Sequence, residues 1–208
     1  MIVEPGQLLC FEGMAGSGKT TTASMLVDWM AARGKRALLL REKDFDPFRA
    51  TLGTLKEMRR TYPMSVPDWT LARELAEARA VVHRRVFLPV LERGEWIVLD
   101  RSLLTDAVTR TATIEDFRSA LSISESAGAI RPEKLFLFIG APEVCAERIR
   151  GRGRMEGANT ARAGLEERLQ EERTRYLWTV RWMRDVRVID GDESRDARLS
   201  SVLKFIDV

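Results

Sequence analysis

Histidine and cysteine are nearly missing from this chain of 208 residues, which holds one histidine and two cysteines. The single histidine, His83, lies in a polar, arginine-rich stretch with no Cys or Asp at ligand spacing, so neither a protein-built zinc site nor a Ser-His-Asp triad is expected. Cys10 and Cys145 sit far apart in apolar segments without C-x-x-C spacing. They are expected as reduced, buried thiols, which fits a cytoplasmic protein. Long apolar runs are missing too, since no segment approaches the roughly 18 apolar residues needed to cross a bilayer. The opening residues MIVEPGQ lack a basic region followed by an apolar stretch, so neither secretion nor membrane insertion is expected. Charge of one sign is also lacking: 34 basic against 31 acidic residues leave a net charge of +3, a weak case for nucleic acid as a partner.

What is present is an ordinary packed core, with 45% hydrophobic and 31% charged residues. The length suits one domain over 1–208, a sheet covered by helices on both faces. Leu8 to Glu12 reads as a buried strand that runs into a glycine-rich turn, and Lys19 to Arg33 as a helix stopped by Gly34. Ala37 to Leu40 is a second strand, and a turn from Asp44 to Pro47 leads into another helical stretch. After Pro63 and Pro67, a long helix is expected from about Thr70 to Arg93, kinked near Pro89. Trp96 to Leu99 is a third strand ending at Asp100, and Ile114 to Ser126 a helix. Lys134 to Ile139 is a fourth strand, and Pro142 to Ile149 is helical. Arg150 to Ala163, rich in Gly and Arg without apolar period, is expected as a mobile surface loop. Leu165 to Arg184 reads as a helix, Val186 to Ile189 as a fifth strand and Arg195 to Phe205 as a last helix. Strands alternating with helices predict an α/β fold with a parallel, doubly wound sheet.

Gly13, Met14, Ala15, Gly16, Ser17, Gly18, Lys19 and Thr20 satisfy G-x-x-x-x-G-K-[ST], between a predicted strand and a predicted helix. Glycines let successive backbone N–H groups curl around an anion, the helix start adds about half a positive charge, and Lys19 supplies a mobile cation. The loop, with Thr21 beside it, therefore points to ATP, and the Thr20 hydroxyl to Mg²⁺. Asp100, at the carboxyl end of a central strand, is placed to hold that metal, or else to cap the next helix through Ser102 and Leu103. Arg101, Arg41, Arg148, Arg152 and Arg154 lie at strand ends or around the Gly-Arg loop, where guanidinium groups can neutralise phosphoryl oxygens.

At these residues the chain resembles the thymidylate kinase family of nucleoside monophosphate kinases over nearly its whole length. FEGMAGSGKTTT is similar to that family's phosphate loop, and LLLRE to its second strand with Arg-Glu. ARAVVHRRVFLPVLERGEWIVLDRS is similar to its long helix and Asp-Arg strand, PEKLFLFIGAPEVCAERIRGRGR to its fourth strand and lid, and VRVIDGDES to its last strand. The resemblance implies a P-loop NTPase fold with five parallel strands, a lid at about 150–163, ATP and Mg²⁺ as cofactors, and a possible homodimer. It makes Lys19 and Thr20 ligands of ATP and metal, Asp100 a metal-site acid, and Arg41 and Arg101 clamps on the acceptor and transferred phosphates. Arg148 joins the ATP set, Arg152 and Arg154 match lid arginines, and Arg79 falls where the family reads a pyrimidine base.

The departures concern the acceptor. Ala15 replaces an acid in the phosphate loop, Leu75 a stacking aromatic, Thr109 and Arg110 a Tyr-Gln pair, and Lys43 follows Glu42 in place of Pro-Gly. DRSLLTD is also similar to the Glu-Arg-Ser segment of deoxynucleoside kinases, which would make Glu42 a base towards a sugar hydroxyl. Glu42 could equally serve only as an arginine's ion-pair partner. The expected activity is γ-phosphoryl transfer to a (deoxy)nucleoside monophosphate. The alternatives are a deoxynucleoside, another small molecule or a polynucleotide end as acceptor, and a non-catalytic ATP-binding module.

Overall fold

The computed structural model describes residues 4–61, 68–110, 114–151, 164–183 and 185–206. Its elements are β1 (Leu8–Gly13), α1 (Lys19–Ala31), β2 (Ala37–Leu40), a 3₁₀ turn (Glu42–Asp44), α2 (Phe48–Thr61), α3 (Asp68–Val82), a π-helical turn (His83–Phe87) and α4 (Leu88–Glu92). There follow β3 (Trp96–Asp100), α5 (Leu103–Arg110), α6 (Ile114–Ser126), β4 (Lys134–Ile139), α7 (Pro142–Gly151), α8 (Leu165–Trp182), β5 (Val186–Asp190) and α9 (Arg195–Leu203).

Among the described residues the sheet has five strands in the order β2-β3-β1-β4-β5, every neighbour parallel. The chain leaves β1 in one direction for β2 and β3 and returns past β1 to β4 and β5. The topology therefore reverses beside β1, and a crevice opens at the carboxyl ends of the strands. Alternation along β1 feeds two cores: Leu8 and Cys10 pack on one face with α3, α5 and α8, Leu9 and Phe11 on the other with α1 and α9. On the second face the rings of Phe136 and Phe138 each lie 5.2 Å from that of Phe11. These fully enclosed aromatics fix the height of α1 over the sheet.

The helix expected from Thr70 to Arg93 is present as α3, the π-helical turn and α4, but its irregularity precedes Pro89. Pro89 lacks an N–H and its ring would press on the carbonyl four residues earlier, so the backbone widens over His83–Phe87. The last helix closes at Leu203, two residues short of the expected end. Residues 152–163, most of the expected lid and with it Arg152 and Arg154, lie outside the described residues.

Candidate phosphoryl-transfer site

The turn between β1 and α1 is built for a concave backbone. Gly13 and Gly16 have φ of 128° and 82°, and a Cβ on either would sit 2.1 Å from the Phe138 carbonyl oxygen or 2.5 Å from that of Cys145. Neither position can hold a side chain without moving β4 or α7. Ser17 Oγ donates to the Met14 carbonyl at 2.8 Å, closing the loop on itself. Lys19 Nζ donates to the same carbonyl at 2.9 Å. Burial, helped by Arg101 and opposed by Asp100, pulls its ammonium down to about 7. A cation so poorly compensated is poised to accept a polyanion as partner.

Register brings the second half of the site alongside. Phe11 pairs with Asp100, so the tip of β3 stands next to the phosphate loop. Thr20 Oγ1 donates to Asp100 Oδ2 at 2.7 Å, whereas Asp100 Oδ1 is buried with no hydrogen-bond partner. A buried carboxylate oxygen in that state is costly unless something else meets it. Thr20 and Asp100 are thus the oxygen pair that can hold a hard, partly hydrated cation. Among the described residues no cluster of three or more His, Cys, Asp or Glu could hold a metal by itself.

Two N–H groups around the start of α5, those of Ser102 and Thr105, are met by Glu12, while Asp100 is bonded to Thr20 instead. Glu12, fully buried on β1, accepts from the N–H of Ser102 at 2.7 Å and of Thr105 at 3.1 Å, and from Thr105 Oγ1 at 2.5 Å. Between them Arg101 adopts φ 73°, a left-handed conformation that a residue with a side chain holds only under constraint. The constraint is visible: its N–H donates to the Phe11 carbonyl at 3.0 Å, and its Nη1 to Thr105 Oγ1 at 3.2 Å and Tyr176 Oη at 3.4 Å.

Burial pushes the Glu12 carboxyl up from 4.5 to about 7, against the Thr105 bond and the charge of Arg101. Because the folded-state value is the higher one, the native state holds this proton more tightly. Its contribution to stability is present below about pH 4.5 and lost as the pH rises to about 7. The unfolding free energy should therefore fall over that window by a component on the order of 3 kcal/mol. A Glu12→Gln variant should lack that component, as measured by thermal unfolding from pH 4.5 to 8; equal pH slopes in both proteins would contradict it.

At the other end of the site, Arg79 is 1% exposed and makes a closed set of bonds. Its Nε donates to both Glu42 oxygens at 2.8 Å, Nη1 to Ser124 Oγ at 3.2 Å, and Nη2 to Asp106. His83, expected in a polar helix, is instead buried, with its ring stacked on Phe87. The Ile130 N–H donates to its Nδ1 at 2.9 Å, so the ring proton sits on Nε2 and is donated to Glu42 Oε1 at 3.0 Å. Burial alone would raise the Glu42 carboxyl, yet Arg79 and the His83 bond outweigh it and hold it below the ordinary range.

A cleft of about 1190 Å³ joins these parts. Of the residues expected at the site, Ala15, Gly16, Gly18, Lys19, Thr20 and Thr21 line it, as do Arg41, Glu42, Asp100, Arg101 and Arg148. Gly13, Met14 and Ser17 shape the loop from behind. Arg79 and Leu75 are on no wall of it: both are 1% exposed, and Leu75 packs in the core under α3. Thr109 lies in α5, its side chain outside the described residues. Arg41 pairs with Asp44 at 2.8 Å, and Arg148 donates to the carbonyls of Gly191 and Asp192, which ties α7 to the loop after β5. Sequence reading missed Glu12, Thr105, Asp106 and Arg198. The last lines the cleft behind Gly18 and donates to the Gly191 carbonyl at 3.1 Å.

A phosphate loop at the switch point of a sheet with this strand order defines the P-loop NTPase class, and the arginines that line the same cleft suit its phosphoryl-transferring members. The chain belongs to the thymidylate kinase family, whose profile, "Thymidylate kinase", matches residues 11–198. It is 30% identical to the "Thymidylate kinase" of Dinoroseobacter shibae over 175 residues, covering 82% of this chain and 77% of that one. The "Thymidylate kinase" of Thermosipho melanesiensis is 28% identical with 96% of each chain covered, and that of Alkalilimnicola ehrlichii 26% with 95% and 90% covered. Membership makes the chain an enzyme of ATP-dependent phosphoryl transfer. Among the described residues no helix is long and apolar enough to cross a membrane.

Proposed function

We propose that this enzyme transfers the γ-phosphoryl group of ATP, with Mg²⁺, to a (deoxy)nucleoside monophosphate. The reading rests above all on one cleft whose lining brings together the phosphate loop, Asp100, Arg41, Arg101 and Glu42. The loop amides and Lys19 bind the donor's phosphates, and Arg148 with the loop after β5 marks the side where its adenosine rests. Mg²⁺, held through Thr20 and Asp100, would supply charge neutralisation and alignment of the phosphates. Arg101, fixed by Thr105 and Tyr176, stands ready to bridge the moving group without reorganising, while Arg41 orients the acceptor phosphate. Arg152 and Arg154 would cover the transferring group from the lid.

Glu42 favours a monophosphate over a nucleoside as acceptor. Its oxygens are occupied by Arg79 and His83, and its pKa is lowered, which makes it a poor proton acceptor. A phosphate monoester oxygen is already ionised and requires no base. The two buried thiols, present without a disulfide, suit a reducing compartment, and we place the enzyme in the cytoplasm.

The test is ADP release from Mg-ATP with a panel of nucleoside monophosphates, nucleosides and a 5′-hydroxyl oligonucleotide. Release that requires a monophosphate supports the reading. Release driven by a nucleoside or an oligonucleotide, or ATP binding with no acceptor-dependent release, overturns it.

A further inference from the structure

Arg198 is a buried cation that the transfer scheme leaves without a task. It rises from α9, is 5% exposed, and lines the cleft beside the phosphate loop. Its Nη1 donates to the carbonyls of Gly191, at 3.1 Å, and Glu193, and its Nε to Thr22 Oγ1 at 3.4 Å. Nη2 has no partner among the described residues. A Cβ on Gly18 would stand 2.8 Å from both Cζ and Nη2 and 2.9 Å from Nε, so the guanidinium lies flat against that glycine. The missing side chain at Gly18 thus makes room for Arg198 as well as for a φ of 91°. A second cation is close by, since Arg148 of α7 donates to the same Gly191 carbonyl. Burial, with Arg148 and Arg195 nearby, pulls Arg198 below its ordinary value, against the attraction of Glu193 and Asp190. An oxyanion at Nη2 would offset both the desolvation and the repulsion between the arginines.

Which oxyanion it meets follows from the order of parts in a nucleotide. The loop amides and Lys19 take the outer phosphates of the donor, and the loop after β5 marks its adenosine side. Arg198 rests on Gly18 of the first and is bonded to Gly191 and Glu193 of the second. It therefore stands at the junction between them, where the α-phosphate joins the ribose. We propose that Arg198 is a ligand of the donor nucleotide, its Nη2 donating to an oxygen of the α-phosphate. The inference rests on the donor reading given above. A planar fork suits the task, because Nη1 and Nε are spent on the protein and hold Nη2 in place before the ligand arrives. The α-phosphate keeps its place during transfer, so the contact serves binding of the donor and not the chemical step.

The experiment is equilibrium dialysis of the full chain and of its Arg198→Met and Arg198→Lys variants against radiolabelled ADP, with AMP and adenosine as competitors. Displacement of ADP confines the reading to the donor site, and AMP differs from adenosine by the α-phosphate alone. The parent should bind AMP more tightly than adenosine. In Arg198→Met that preference should shrink roughly ten- to a hundredfold, the loss expected for a hydrogen bond to a charged group. Arg198→Lys, which keeps the charge without the fork, should retain part of it. The ratio of two ligands on one preparation does not depend on how much of it is folded, so a destabilised variant remains informative. Variants that weaken AMP and adenosine by one factor overturn the inference and leave the donor reading standing, since that result is expected if Arg198 only ties the loop after β5 to α1. A parent that binds no ADP overturns both.

Discussion

In a Lys19→Ala variant, kcat/KM for ATP is expected to fall about a hundred- to a thousandfold, while the thermal unfolding midpoint stays close to that of the parent. The two halves have one cause. Lys19 is 5% exposed and donates to the Met14 carbonyl, so without a polyphosphate its charge is desolvated and weakly compensated. Removing it relieves that burden on the fold, and α1 keeps its packing through Ala23, Leu26 and Met30. On turnover the same ammonium would be the mobile charge nearest the phosphates, acting where water is excluded and each interaction counts for more. Acceptor-dependent ADP release on the two proteins measures the effect. Undiminished turnover would mean that the phosphate loop does not bind the donor.

An Asp100→Asn variant is expected to lose about a hundredfold in kcat and to need far more Mg²⁺ to reach half its residual rate. Asp100 Oδ2 accepts from Thr20, and Oδ1 is buried without a partner. An amide in that position keeps the shape but offers half the acceptor capacity and no charge, so a hydrated dication loses its anchor. ATP affinity measured in the presence of chelator should change little, because the loop amides and Lys19 are untouched. An unchanged Mg²⁺ dependence in the variant would remove Asp100 from the metal site.

The parts that were readable in the sequence are those encoded by contiguous residues. Gly13 to Thr20 carries its own conformational signature, and the run Trp96 to Leu99 announces a buried strand whose next residue must stand at the sheet's carboxyl edge. What was not readable depends on contacts across the fold. Glu12 reads as the end of an apolar strand, and nothing local says that α5 begins over it, 90 residues later. Arg79 meets Glu42 from 37 residues away and Asp106 from 27, so the acid-lined recess exists only after α3, α5 and the turn after β2 converge. One signal was available. Leu75, Arg79, His83 and Phe87 recur every four residues and are all enclosed, so the apolar ends of that stripe predict that Arg79 and His83 point inward with them. The polar neighbours Arg84 and Arg85 hid it, because they occupy the solvent side of the same turns.

Lys19, Thr20 and Asp100 owe their proximity to β1 and β3 lying side by side in register, and Arg41, Arg101 and Arg148 line the same cleft. The most direct test of what that arrangement does is to follow the label from γ-³²P-ATP in a single turnover with Mg²⁺ and a nucleoside monophosphate. The label is expected to leave ATP and to appear as the terminal phosphate of a nucleoside diphosphate. Label recovered as inorganic phosphate, or retained in ATP at every acceptor concentration, would contradict phosphoryl transfer to a nucleotide.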